Sequence, residues 1–209
     1  MRIVVTRPRD QAAALAARLE ELGHEVTVCP LIAIEPTGPE EIDVSGYDWV
    51  IVTSANGARE LVRRMNGRPV RTAAIGSATA AELPVEPDLI PRVSTQEGLL
   101  AELPRPAGRV LFAGAEGARR LLVDELGADF IPLYRTRELR PDGFPDGDVV
   151  VLASASAARA YASLGRSTPV ISIGPETTAE AKQAGLRVAA EARTHDLDGL
   201  VVAVRQATS

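Results

Sequence analysis

The chain has 209 residues, of which 45% are apolar and 24% charged, as expected for a globular protein of one large or two small domains. A net charge of −5 with scattered arginines excludes the basic surface typical of nucleic-acid binding, and no apolar run approaches the length of a membrane span. A lone cysteine, Cys29, excludes an intramolecular disulfide, and the first apolar run is too short for a signal peptide. We therefore expect a cytoplasmic protein with no nucleic-acid or membrane partner.

Short apolar strands alternate with helices along the chain. The predicted strands are Ile3–Thr6, Glu25–Cys29, Trp49–Thr53, Arg71–Ile75, Arg109–Ala113, Val149–Ala153 and Val170–Ile173. The predicted helices are Asp10–Leu22, Ala55–Met65, Ser77–Leu83, Thr95–Leu103, Glu116–Leu126, Ala155–Leu164, Pro175–Gln183 and Asp196–Val204. Nearly continuous apolar runs are typical of parallel strands that are covered on both faces. The alternation predicts an α/β fold with parallel sheets.

The sequence repeats itself at long range. Trp49–Arg59 matches Val149–Arg159 at an offset of 100 residues, and Ala74–Thr79 matches Ser172–Thr177 at an offset of 98. Shorter matches keep the same order: Leu22-Gly23 with Leu126-Gly127, and Pro30-Leu31 with Pro132-Leu133. Chance matches would not keep order and local chemistry, so the pattern predicts two similar flavodoxin/Rossmann-like domains with parallel sheets.

Two Pro- and Gly-rich breaks locate the domain boundaries. They lie at Pro36–Asp48 and Leu139–Asp148, after the second strand of each copy, so the chain is expected to cross between domains twice. We predict an outer, discontinuous domain of residues 1–32 plus 139–209 and an inserted domain of residues 36–133. Residues 31–37 and 133–139 alternate in polarity and are predicted to pair as a two-stranded linker.

Small polar or glycine turns follow most of the predicted strands. Ligands of open parallel sheets bind at the carboxyl ends of the strands, and helices that begin there expose N–H groups suited to carboxylates or phosphates. The alternative for each hydroxyl is simple helix capping. The candidate binding residues are Thr6, Arg7, Thr53, Ser54, Asn56, Gly76, Ser77, Thr79, Gly114, Ser154, Ser156, Gly174 and Thr177.

Familiar cofactor and catalytic signatures are missing from the sequence. There is no Gly-x-Gly-x-x-Gly and no Gly-Lys-Ser/Thr, which argues against dinucleotide and P-loop nucleotide binding. His24, His195 and Cys29 have no metal-site spacing, so no metal or cofactor is expected. His195 precedes the last predicted helix, where it could cap that helix or contact a ligand. Lys182 lies in a predicted helix and is expected to be solvated.

Tyr134 is the best candidate for an acid. It lies in a predicted linker strand, and a phenol with a pKa near 10 can donate a proton or a hydrogen bond at neutral pH without being ionised. The alternative is a tyrosine that only packs at a hinge.

A set of motifs, in order along the whole chain, resembles the uroporphyrinogen-III synthase family. The motifs are Thr6-Arg7-Pro8, Leu22-Gly23 before Pro30-Leu31, Thr53-Ser54-Ala55-Asn56, Ala74-Ile75-Gly76-x-x-Thr79, Ser94-x-x-Gly98-Leu99, Leu133-Tyr134-Arg135-Thr136 and Ile173-Gly174-Pro175-x-Thr177. The resemblance adds Ser94 and Gly98 to the candidate binding residues. One departure is the short stretch Ser77–Pro84, where the family has a longer helix.

The resemblance implies a cofactor-free cyclisation of hydroxymethylbilane, a linear tetrapyrrole with eight carboxylates. The enzyme would expel the terminal hydroxyl as water, invert the last pyrrole ring through a spiro intermediate and close the macrocycle to uroporphyrinogen III. Tyr134 would assist the loss of water, and the polar turns would hold the carboxylate arms. Nothing in the fold requires a second chain, so a monomer is expected.

Two other functions remain open from the sequence. Paired α/β lobes around a hinge also occur in anion-binding or sensing modules, which would bind tightly without turnover. A cofactor-dependent enzyme on a nucleotide-type fold is the other, and NAD(P) binding would reveal it.

Overall fold

The computed structural model describes residues 1–208. The strands are β1 Arg2–Val5, β2 Glu25–Val28, β3 Ile32–Pro36, β4 Ile42–Asp43, β5 Trp49–Val52, β6 Met65–Asn66, β7 Arg71–Ala74, β8 Val110–Ala115, β9 Asp129–Glu138, β10 Val149–Leu152, β11 Val170–Ser172 and β12 Val188–Glu191. The helices are α1 Arg9–Glu21, α2 Ala55–Arg64, α3 Ser77–Ala80, α4 Gln96–Glu102, α5 Leu121–Leu126, α6 Ala155–Ala162, α7 Pro175–Gln183 and α8 Leu197–Thr208.

The chain divides into two compact units. The first unit comprises Met1–Ala33 and Thr136–Ser209, and the second comprises Ile34–Arg135. The first unit contains a five-stranded sheet in the order β12-β11-β10-β1-β2, with every neighbouring pair parallel. The sheet of the second unit has the order β3-β9-β8-β5-β7, with β9, β8, β5 and β7 parallel to their neighbours. The prediction of an α/β fold with parallel sheets is confirmed.

The two sheets have the same strand order once the repeat is followed. The order in the first unit is β2, β1, β10, β11 and β12. The corresponding order in the second unit is β9, β8, β5 and β7, and in place of a fifth strand Leu89 forms a single parallel bridge with Ala73 of β7. The repeated stretches fall on β5–α2 and β10–α6. The same Leu-Gly pair closes α1 and α5, where Gly23 and Gly127 adopt positive φ angles of 81° and 61° that favour glycine.

Each sheet is covered on both faces. In the first unit Ile3 and Val5 face a core that includes Leu15 of α1 and Leu200 of α8. Val4 faces the opposite core with Tyr161 of α6. The second unit has two corresponding cores, and one of them contains Tyr134. Burial on both faces explains why the strands read as continuous apolar runs.

Several predicted bounds differ from the structure. Helix α5 begins at Leu121 rather than Glu116, because the backbone N–H of Glu116 donates to the carbonyl of Tyr134 and so prolongs the contact between β8 and β9. Helix α3 is a single turn that ends at Ala80. Strand β12, which is at a sheet edge with alternating exposure, was not predicted. Of its three apolar residues only Val188 has a high β propensity, and the other two are alanines. The short pair β4–β6 was not predicted either.

Strand β3 lies beside β9 at the edge of the second sheet. The backbone N–H of Thr37 donates to the carbonyl of Leu133 at 3.0 Å, and the Thr37 hydroxyl donates to the carbonyl of Pro132 at 2.5 Å. An ion pair between Arg135 and Glu35 at 3.0 Å joins the same strands. In the described part of the chain, none of the helices combines the length and apolar character needed to cross a bilayer.

Candidate active site

Ser54 and Tyr134 form a hydroxyl pair at the carboxyl edge of the second sheet. Ser54 follows β5 and caps α2: its Oγ accepts the backbone N–H of Gly57 at 3.0 Å. The same Oγ lies 2.9 Å from the phenolic oxygen of Tyr134. A hydrogen bond between two hydroxyl groups therefore joins residues that are 80 positions apart in the sequence.

The backbone around Tyr134 positions its ring. The register between β8 and β9 shifts at Gly114 and Ala115, so that Gly114 pairs with Pro132 and Ala115 pairs with Tyr134. Such a bulge re-aims the side chains that follow it. The backbone carbonyl of Tyr134 accepts the N–H of Glu116, the residue after β8, at 2.8 Å. This hydrogen bond holds the backbone of Tyr134 in β9 against the end of β8.

Tyr134 is nearly enclosed, with 7% of its surface exposed. Burial raises the pKa of its phenol above the ordinary value, and the hydrogen bond to Ser54 lowers that pKa in partial opposition. The side chain is consequently a neutral phenol at physiological pH. It can donate a proton or a hydrogen bond.

Gly57 provides space beside this pair, and the sequence analysis did not select it. A Cβ at residue 57 would lie 3.0 Å from the Ser54 Oγ and 3.8 Å from Cε1 of Tyr134. In the other copy the matching residue is Ala157, and the matching serine, Ser154, has no tyrosine partner: its Oγ lies 3.1 Å from that of Ser156. The sign of this in the sequence is that the first copy of the repeat has glycine at position 57, where the second copy has alanine at position 157.

Other predicted residues of the second unit gather beyond the ends of β5 and β7. Gly76 precedes α3, and a Cβ there would be 3.0 Å from the Oγ of Ser94. Ser77 and Ser94 are exposed, whereas Thr79 is buried. Thr53 and Asn56 are half-buried, and the Asn56 side chain accepts a hydrogen bond from Arg59 at 2.6 Å.

Two predicted glycines have structural explanations. Gly98 lies inside α4, where a Cβ would collide with the backbone carbonyl of Val93, and its N–H is capped by Thr95 at 3.0 Å. Gly114 lies in β8, where a Cβ would be 3.1 Å from the ring of Phe112. Both glycines are buried and permit close packing.

In the first unit Ser154 occupies the position that corresponds to Ser54. Its Oγ accepts the N–H of Ala157 at 3.1 Å and caps α6. Gly174 follows β11 and precedes α7, which has no side-chain cap, and Thr177 is buried in the first turn of that helix.

Thr6 and Arg7 follow β1 in the same unit. The Thr6 side chain is fully buried and donates its hydroxyl hydrogen to the carbonyl of Val151 at 2.8 Å, so it ties β1 to β10. Arg7 is half-buried and reaches Gln11 at 3.5 Å, one turn along α1.

No group of three or more potential metal ligands occurs within residues 1–208. His24 follows the Gly23 stop before β2, at the amino edge of the first sheet, and Lys182 is exposed on α7. A cavity of about 520 Å³ in the second unit lies near the starts of β5 and β7, lined by residues such as Val50, Leu61, Thr72 and Leu83. It is lined by neither Ser54 nor Tyr134.

The chain is similar to known proteins over most of its length. A family model described as uroporphyrinogen-III synthase HemD matches residues 13–202. The uroporphyrinogen-III synthase of Synechococcus elongatus is 27% identical, over 98% of this chain and 94% of that protein. A protein of Archaeoglobus fulgidus that carries the same enzyme name provisionally is 31% identical, over 90% and 91% of the two chains. For a provisionally named relative from Methanocaldococcus jannaschii, the chain spans 63% of that protein's length at 28% identity.

The fold is also similar to that of a solved structure. A crystal structure of a mutant uroporphyrinogen III synthase from Thermus thermophilus superposes with a TM-score of 0.66 over 100% of this chain and 98% of that one, at 17% identity. That likeness concerns the fold alone. Because the family match covers most of the sequence, this protein belongs to the uroporphyrinogen-III synthase family.

Proposed function

We propose that this protein cyclises hydroxymethylbilane to uroporphyrinogen III, with loss of water and inversion of the last pyrrole ring. The observation that carries the proposal, beside family membership, is the Ser54–Tyr134 pair at the carboxyl edge of the second sheet. The substrate can cyclise unaided to the uninverted isomer. The protein therefore needs chiefly to fix a conformation and to assist the departing hydroxyl.

Tyr134 is the proposed acid. Since the Ser54 Oγ already accepts the Gly57 N–H, its own hydrogen is available for the phenolic oxygen of Tyr134. That arrangement leaves the phenol O–H free to point at the substrate. The C–O bond of the terminal hydroxymethyl group breaks as the phenol proton moves to the leaving oxygen, which departs as water. The phenol recovers a proton when the cyclising pyrrole system loses one at ring closure.

The remaining polar edge residues are proposed to hold the carboxylate arms. Exposed or half-buried polar residues follow strands in both units, at Thr53–Asn56, Ser77, Ser94 and Ser154–Ser156, next to the half-buried Gly76 and the buried Gly174. Backbone N–H groups at helix starts and hydroxyls can bind carboxylates without a basic protein overall. We propose that each unit contributes donors of this kind to substrate binding. Thr6, Gly98 and Gly114 have packing roles that account for their presence.

The domain organisation is part of the proposal. We propose an outer domain of residues 1–32 plus 139–209, an inserted domain of residues 36–133, and linker strands 31–37 and 133–139. The division of the chain into two units and the pairing of β3 with β9 support it. We also propose a monomer acting in the cytoplasm, in keeping with a single, unpaired cysteine at position 29.

A coupled assay tests the function. Hydroxymethylbilane is generated in situ, the purified protein is added with a chelator and no cofactor, and the oxidised porphyrin isomers are separated by chromatography. Predominantly type III product supports the proposal. Type I product alone, from protein shown to be folded by circular dichroism, would overturn it and leave an anion-binding module.

A further inference from the structure

His195 lies against Gly174 at the carboxyl edge of the first sheet. A Cβ at residue 174 would be 2.8 Å from Cδ2 of the His195 ring and 3.0 Å from its Nε2. Gly174 has an extended backbone with φ of 170°, which any residue adopts, so it is the imidazole and not the backbone that requires glycine here.

The second unit has the same arrangement with a different side chain. There Gly76 ends the turn after β7, and a Cβ at that position would be 3.0 Å from the Oγ of Ser94. Gly76 corresponds to Gly174 in the internal repeat, so Ser94 and His195 occupy matching places over matching glycines.

The sequence around the two residues repeats as well, at an offset of 101. Ser94-Thr95-x-x-Gly98-Leu99 matches His195-Asp196-x-x-Gly199-Leu200. Thr95 caps α4 through the Gly98 N–H at 3.0 Å, and Asp196 caps α8 through the Gly199 N–H at 2.8 Å. A Cβ on Gly98 would collide with the carbonyl of Val93, and one on Gly199 with the carbonyl of Thr194.

The repeat shows that His195 is not the cap of helix α8. Asp196 is the helix cap, so the imidazole is not needed for that purpose. His195 is exposed, and no hydrogen bond or ion pair joins its ring to another residue of the described chain. Its ring nitrogens remain available for a ligand at the edge where the proposed substrate donors lie.

We propose that His195 is a substrate-binding residue of the first unit, which donates a ring N–H to a carboxylate of the tetrapyrrole. It would be the counterpart of Ser94 in the second unit. The inference rests on the proposed function, and it decides between the two roles that the sequence left open for His195, helix cap and ligand contact, in favour of ligand contact. An imidazole reaches farther than a serine hydroxyl, and each of the two side chains has a hydrogen that it can donate to a carboxylate.

The test compares His195→Ala with wild type in the coupled assay and in a binding titration with uroporphyrin III, the oxidised and stable form of the product. We expect KM and the Kd of uroporphyrin III to rise about tenfold, as for loss of one hydrogen bond to a charged group, with kcat and Tm little changed. His24→Ala is the matched control, since His24 lies at the opposite edge of the same sheet, and it should leave all four values unchanged.

Two further variants separate contact from structure. His195→Ser introduces the side chain of the second unit and should recover part of the lost affinity. Gly174→Ala keeps the histidine but displaces its ring, so KM should rise as in His195→Ala. Unchanged KM and Kd in His195→Ala, or a fall in Tm without a change in binding, would overturn the inference. If the wild-type protein made only type I product, the proposed function would fail, and the titration alone would decide the role of His195.

Discussion

The Oγ of Ser54 lies 2.9 Å from the phenolic oxygen of Tyr134 and simultaneously accepts the backbone N–H of Gly57 at 3.0 Å. One oxygen therefore serves as a helix cap and as a partner of the proposed acid. Because the cap fixes where the serine oxygen is, helix α2 also fixes the hydrogen bonding of the phenol. The structure and stability of this turn are expected to affect turnover through Tyr134.

Tyr134→Phe removes only the phenolic oxygen. We expect kcat to fall about 100-fold but not to zero, because the proton donor is lost while the groups that hold the substrate remain. KM should change little, and the product should shift towards type I as unaided cyclisation competes. The coupled assay with isomer separation measures both effects.

Tyr47→Phe is the control for that variant. Tyr47 lies just before β5, and its hydroxyl donates to the carboxylate of Asp129, the first residue of β9, at 2.9 Å. Both residues are therefore at the amino edge of the sheet that carries Tyr134 at its carboxyl edge. Wild-type turnover by Tyr134→Phe would remove Tyr134 from the mechanism.

Ser54→Ala and Thr95→Ala each remove a helix cap in the second unit. Both should lower the free energy of unfolding by about 1 kcal/mol, measured by urea denaturation. Only Ser54→Ala should also lower kcat, because only Ser54 touches the phenol of Tyr134. Equal kcat values in the two variants would show that Ser54 acts as a cap alone.

The ionisation of Tyr134 can be followed by the ultraviolet absorbance of the phenolate, as the difference between wild type and Tyr134→Phe. Burial raises the pKa of this phenol, so the difference signal should titrate above the ordinary value of 10.0. In Ser54→Ala the pKa should rise further, since the hydrogen bond that lowers it is gone. A titration at or below the ordinary value would contradict the burial seen here.

The same shift has a consequence for stability. Between the unfolded-state pKa, about 10, and the higher folded-state pKa, the folded protein binds more protons than the unfolded chain. The contribution of Tyr134 to the free energy of unfolding is thus complete below pH of about 10 and declines as pH rises through the folded-state pKa. Urea midpoints of wild type and Tyr134→Phe should accordingly show a pH-dependent difference only on the alkaline side. A constant difference across that range would contradict the shift.

Gly98→Ala tests whether that glycine serves packing. The added Cβ would collide with the carbonyl of Val93, so we expect the free energy of unfolding to fall by about 1–3 kcal/mol despite the better helix propensity of alanine. The isomer ratio of the folded fraction should not change. Gly117→Ala, where nothing lies within 4 Å of the new Cβ, should be neutral. Full stability with weakened substrate binding would instead make Gly98 a binding residue.

The repeat predicted much of the fold and the turns that carry the polar residues. The apolar runs correctly indicated parallel sheets, since a run such as Trp49–Val52 is typical of strands that are covered on both faces. The sequence pattern did not indicate β12, because two of its three apolar residues are alanines and the exposure that alternates along this edge strand is visible only in the structure. Nor could it show that Glu116 would bond to Tyr134 instead of opening a helix, since that depends on a register shift between strands distant in sequence.

Residue type alone also could not separate binding hydroxyls from structural ones. Thr6 and Ser54 both follow apolar strands, yet the Thr6 hydroxyl donates to a strand carbonyl whereas Ser54 meets Tyr134. That distinction depends on burial and on neighbours supplied by other strands. The sequence left His195 open as a helix cap or a ligand contact. Its match with Ser94 at an offset of 101 residues, which the structure brought out, favours the ligand contact because Asp196 takes the capping position.

The order of strands within each sheet has a consequence for how the chain is made. All the strands of the second unit's sheet lie in one uninterrupted segment, residues 32–138, whereas β1 pairs with β10, which lies beyond that segment. During synthesis from the N-terminus, the second unit is therefore complete while the first still lacks its central neighbour strand. The edge of β1 that will pair with β10 therefore stays unpaired while more than a hundred residues are translated. An exposed apolar strand edge is prone to aggregation, so we expect chaperone binding to matter most during this interval.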